Sequence, residues 1–133
     1  MKKIADAGLI IAGLDERDEH HVWAARLLRG ESPPWLVCEA VLAEVAASAG
    51  TPEPVLEMLK AGDLELAFDM SENRAELLAL ARKYRDQEMD LADACVVRMS
   101  ELFDDSVVYT VDKTDFSVYR KHGRRAIRCV FPD

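Results

Sequence analysis

Acidic side chains stand at four places in this sequence where an unpaired carboxylate is costly. Asp6 follows directly on Ile4-Ala5, and Asp112 comes two residues after the run Val107-Val108-Tyr109-Thr110. Both positions read as the carboxyl ends of strands, where open α/β sheets take their ligands. Glu44 lies in EAVLAEVAAS, with Ala40, Val41, Ala47 and Ser48 as its i±3 and i±4 neighbours. That face is small and apolar and offers no basic partner. Asp93 lies in DLADACVVRMSEL, apolar nearly all round and so read as a buried helix. Each acid alone has an ordinary explanation as a helix cap or turn residue. Asp90, three residues before Asp93, fits a capping box.

Taken together, the four suggest chemistry. Carboxylates that converge repel one another and hold their protons more tightly. Hard divalent ions relieve that strain, and Mg²⁺ and Mn²⁺ prefer such oxygen donors. Paired ions can clamp both oxygens of an in-line phosphoryl displacement. No Ser–His pair, reactive cysteine or phosphate-cradling glycine loop competes, so the pattern points to metal-assisted phosphodiester hydrolysis. An aspartyl-phosphate phosphatase would need a second acid two residues after Asp6, where Gly8 stands. His20 and His21 are adjacent and His122 is remote, without the i,i+4 spacing of a metal-binding helix. Cys38, Cys95 and Cys129 sit among apolar neighbours and read as small buried hydrophobes.

The elements that must position these residues alternate along the chain. Strands are expected over 2–5, 35–38, 64–68, 106–110 and 126–131. Helices are expected over 7–14, 20–29, 39–48, 52–61, 71–84 and 90–102, by apolar spacing and by breakers at Pro33-Pro34, Gly50 and Gly62. Such alternation implies a mainly parallel sheet with helices on both faces.

The chain has 133 residues, half of them hydrophobic, and a formal charge of −8. That length suits one domain over residues 1–133. No apolar run approaches the ~20 residues of a membrane span. Asp6 interrupts the N-terminal apolar stretch and no small-residue cleavage site follows, so a cytoplasmic protein without a signal peptide is expected. The charge is uneven: residues 113–133 carry +4 and residues 1–112 carry −12. A solvated loop explains the basic segment, yet Arg120, Lys121, Arg124 and Arg125 could also meet an RNA backbone.

The pieces IADAGLIIAGLDERDEHH, LVCEAVLAEVAA, MDLADACVVRMSELF and VYTVDKTDFSVYR, in that order across residues 4–131, resemble a PIN-domain protein, and more closely a VapC-type toxin ribonuclease. The resemblance implies a three-layer α/β/α sandwich and a Mg²⁺- or Mn²⁺-dependent endoribonuclease. It maps the family's acids onto Asp6, Glu44, Asp93 and Asp112 as catalytic metal ligands, with Asp90, Thr110 and Asp115 in support. Ala7-Gly8 stand where many relatives carry a hydroxyl residue. The family also implies a homodimer, an RNA substrate, a cognate antitoxin and no membrane partner. A catalytically silent PIN-fold binding partner and a flap-type DNA nuclease are the alternatives.

Overall fold

The computed structural model describes residues 1–133. Five strands form one parallel sheet: β1 (Lys2–Ala5), β2 (Trp35–Val37), β3 (Leu64–Leu66), β4 (Ser106–Tyr109) and, at the far edge, Cys129–Val130. Counting two short hairpin strands, β5 (Arg120–Lys121) and β6 (Arg125–Ala126), that last edge strand is β7. The spatial order is β3-β2-β1-β4-β7. The α/β architecture expected from the sequence is therefore present, with every pairing in the main sheet parallel.

Seven helices connect the strands: α1 (Ala7–Leu14), α2 (His21–Gly30), α3 (Glu39–Ala49), α4 (Glu53–Ala61), α5 (Arg74–Lys83), α6 (Leu91–Leu102) and the single turn α7 (Lys113–Phe116). None is long and apolar enough to cross a membrane. From β1 the chain steps outward to β2 and β3, then returns past β1 to β4. Right-handed crossovers place the helices of those two directions on opposite faces. The reversal leaves a crevice between the carboxyl ends of β1 and β4, the usual ligand position in such sheets.

Burial follows from composition. Ile4, Ala5, Val37 and Val108 are fully enclosed, as expected of parallel strands covered on both faces. Trp35 on β2 meets Tyr109 on β4 edge-to-face, with ring centres 4.8 Å apart across the small Ala5 strand. Helix α6 buries eight of its twelve residues, Asp93 among them. It is a core helix that carries an acid.

Two expected elements differ in form. The helix expected over 71–84 begins as a 3₁₀ turn, Ser71–Asn73, and becomes α-helical only at Arg74. Asn73 causes the break, because its side chain is tied to the Asp69 carbonyl and to Arg98 Nε. The strand expected over 126–131 is two pieces. Arg125–Ala126 pairs back antiparallel with Arg120–Lys121, and only Cys129–Val130 joins the sheet. His122 and Gly123 both take positive φ, 53° and 76°, which turns the hairpin.

Gly8 matters to the crevice. A Cβ there would lie 2.4 Å from Val111 Cγ2, so the first turn of α1 packs against the residue between Thr110 and Asp112. Gly8→Ala is expected to cost about 1–3 kcal/mol through overpacking. Gly30→Ala, which meets nothing within 4 Å, should be near neutral. Urea unfolding of both variants checks this, and equal midpoints would contradict it.

Candidate metal centre

Three carboxylates form the heart of the site. One oxygen from each of Asp93, Asp112 and Asp115 lies within 4.8 Å of the other two. Asp93 is carried by buried α6. Asp112 and Asp115 bracket the first turn of α7, just after β4. Two capping pairs with the same spacing set their backbones. The Asp93 N–H donates to Asp90 Oδ1 at 2.8 Å, and the Asp115 N–H donates to Asp112 Oδ1 at 3.0 Å. In each pair the cap is the residue before the helix, and its partner falls three residues on.

Asp6 joins this group through Thr110. The Thr110 hydroxyl donates to Asp6 Oδ2 at 2.7 Å and accepts the Asp112 N–H at 3.0 Å. One wholly buried hydroxyl thus couples the ends of β1 and β4. Asp6 also caps α1, accepting the Ala7 N–H at 2.9 Å. The hydroxyl that orients the Asp6 carboxylate thus comes from the residue just after β4.

Each sequence-selected acid has a definite place. Asp93 and Asp112 are brought together as expected, and Asp6 is linked to them by one hydroxyl. Asp115, expected only to support the ligands, supplies an oxygen to the central cluster itself. Its three-residue spacing from Asp112 was the available signal. Asp90 caps α6 and remains exposed. Glu44 is exposed on α3 and is not one of the three clustered acids, although the charges of Asp90 and Asp6 reach it. Tyr119 was not singled out by the sequence. Its hydroxyl donates to Asp93 Oδ2 at 2.8 Å.

The electrostatics of these acids favour a positive ligand. Burial pushes the Asp93 carboxyl up to about 7, partly offset by the Tyr119 bond, and the charges of Asp90, Asp6 and Asp112 add to the rise. Asp6 is raised by burial against the opposing bonds from Thr110 and Ala7. Asp115 is raised by burial and by the Asp112 carboxylate beside it. Glu44 is raised by burial first, then by Asp90 and Asp6. No Lys or Arg pairs with any of these acids, since every ion pair lies elsewhere. An all-oxygen donor set of converging, unpaired carboxylates fits a hard divalent ion.

The four basic residues expected near an RNA backbone, Arg120, Lys121, Arg124 and Arg125, differ in what they already bond. Arg120 Nη1 donates to the carbonyls of Ser117, Val118 and Tyr119. Lys121 is buried, and both Lys121 and Arg125 pair with Asp104, at 3.6 and 2.7 Å. The hairpin is stitched to the residues between α6 and β4 by these bonds. Arg124 alone of the four stays exposed without an ion-pair partner.

A family model described as PIN domain matches residues 3–121 of the chain. Among curated proteins the chain is similar to Ribonuclease VapC26 of Mycobacterium tuberculosis (strain ATCC 25618 / H37Rv). The two are 26% identical over 126 residues, covering 90% of this chain and 93% of the relative.

The raised carboxyls set a pH dependence for the metal-free protein. Asp93 binds its proton more tightly folded than unfolded, where its value is near 3.8. Its stabilising contribution is full below that value and is lost as pH rises towards about 7. Metal-free melting temperature should therefore fall between about pH 4 and 7 on account of this group. Asp93→Asn should flatten that part of the profile and melt several degrees above wild type at pH 8. A wild-type midpoint that the substitution leaves unchanged across this range would contradict the assignment.

Proposed function

The chain belongs to the PIN domain family, and from that premise we propose that it is a divalent-cation-dependent endoribonuclease, the toxin of a toxin–antitoxin pair. One observation carries the reading: Asp93, Asp112 and Asp115 bring oxygens within 4.8 Å of one another with no basic side chain paired to them. The likeness to a ribonuclease along most of both chains supports the choice of RNA.

Asp93, Asp112 and Asp115 would hold the ion, Mg²⁺ or Mn²⁺. Asp6 stands beside them through Thr110, and Glu44 at the exposed rim. When bound, such an ion supplies a water of lowered pKa as nucleophile and stabilises charge developing on the phosphate. The chain's own groups do the positioning. The Asp112 carboxylate is oriented by the Asp115 N–H, and the Asp6 carboxylate by Thr110 and the Ala7 N–H. These acids also govern substrate entry. Uncompensated, the cluster repels a polyanion; neutralised, it admits a phosphodiester. Of the basic residues Arg120, Lys121, Arg124 and Arg125 expected to meet the RNA backbone, Arg124 is exposed and makes no ion pair. A homodimer and a cognate antitoxin that silences the site complete the proposal, on the strength of the VapC likeness.

Incubation with single-stranded RNA and Mn²⁺ should give fragments with 5′-phosphate and 3′-hydroxyl ends, and chelation should stop the reaction. Asp112→Asn should lower the rate at least about 100-fold, since even indirect supports of a metal site cost 10–100-fold. Its circular dichroism should match wild type. Cyclic phosphate ends would exclude water as the nucleophile. Cleavage of DNA in preference to RNA would favour the flap-type reading, and metal binding without turnover the silent partner.

A further inference from the structure

Asp93 owes its orientation to a side chain from a distant part of the sequence. Tyr119 lies between α7 and β5 and is wholly buried. Its hydroxyl donates to Asp93 Oδ2 at 2.8 Å, while no protein group donates to Oδ1. The phenol ring is held edge-on by two others, Tyr84 at 5.0 Å and Phe116 at 5.1 Å between ring centres. Tyr84 is fixed in turn, because its hydroxyl accepts the Arg120 N–H at 2.8 Å. A buried aromatic cluster thus places one donor on one oxygen of one carboxylate. The final torsion of an aspartate is broad and roughly two-fold. Without that donor nothing else on the chain selects which oxygen turns towards Asp112 and Asp115.

We propose that Tyr119 is a positioning residue for the cation site, holding Asp93 Oδ2 through its hydroxyl so that Oδ1 is presented to the metal. The proposal rests on the reading of Asp93 as a metal ligand. It gives the aromatic cluster of Tyr84, Phe116 and Tyr119 a task beyond filling the core. It also ties the segment after α7 to α6, so the helix turn carrying Asp112 and Asp115 is braced against the helix carrying Asp93. Partners that orient metal ligands from behind commonly contribute 10–100-fold to affinity.

Calorimetric titration of metal-free protein with Mn²⁺ tests this on wild type, Tyr119→Phe and Tyr84→Phe. Tyr119→Phe keeps the ring and deletes only the hydroxyl, so its Mn²⁺ affinity should fall about 10–100-fold. Tyr84→Phe removes a phenol from the same cluster that does not touch Asp93 but only anchors its neighbour, so its affinity should fall clearly less than that of Tyr119→Phe. In the wild-type chain, which needs no substitution to fold, Mn²⁺ should perturb the tyrosine ultraviolet difference spectrum, and Tyr119→Phe should lose most of that signal. Equal affinity in wild type and Tyr119→Phe would overturn the proposal, as would an equal loss in Tyr84→Phe, which would reduce the role to packing. Mn²⁺ binding by wild type without a tyrosine signal would also count against it. A wild-type chain that takes up no Mn²⁺ would overturn the metal reading itself, and this proposal with it.

Discussion

Like charges gathered in one crevice are the constraint on which this molecule turns. Asp6, Asp93, Asp112 and Asp115 meet where the sheet order reverses between β1 and β4, and each of the three with a raised carboxyl owes the shift first to burial. A globular protein gains nothing in stability from such a gathering. The interior makes the repulsion stronger than water would, and desolvation alone disfavours each charge. A fold that nevertheless assembles these acids carries a cost that a positive ligand would relieve.

The way the acids are held supports that view. Their hydrogen bonds come from neutral donors: the Thr110 and Tyr119 hydroxyls and the backbone N–H groups of Ala7, Asp93 and Asp115, the Asp93 N–H going to Asp90. Such donors orient a carboxylate without neutralising it. The basic side chains are kept away. Lys121 and Arg125 are drawn to Asp104, beyond the far end of α6. Asp93 and Leu102 stand roughly 14 Å apart along that helix at 1.5 Å per residue. The hairpin's cations therefore lie near the amino end of β4, and the acids at its carboxyl end keep their unbalanced charge.

Much of this was legible in the sequence, for physical reasons that also explain what was missed. Strand–helix alternation encodes a parallel sheet because both faces must be covered, and α6 begins where expected, with Asp90 as its cap. Asp93 was conspicuous because an ionisable group interrupts an apolar helix. Asp115 was underrated because α7 is a single turn with no periodicity of its own, although its spacing from Asp112 repeats that of Asp90 and Asp93. Tyr119 left no trace at all, since a phenol in a core segment looks like any other buried aromatic until its hydroxyl is seen to reach an acid 26 residues away in sequence. The bonding of the basic hairpin was also hidden. Composition shows that charges are present, but not that Asp104 is within reach to pair with two of them. The break within 126–131 was hidden because a short apolar run does not reveal which sheet each half joins.

The most direct test of the central claim is crystallographic: an anomalous difference map from crystals grown with Mn²⁺. Density is expected between the carboxylates of Asp93, Asp112 and Asp115, with Asp6 alongside. A map without a peak there, or with its strong peaks only at other surface acids, would contradict the idea that this crevice exists to hold a divalent ion.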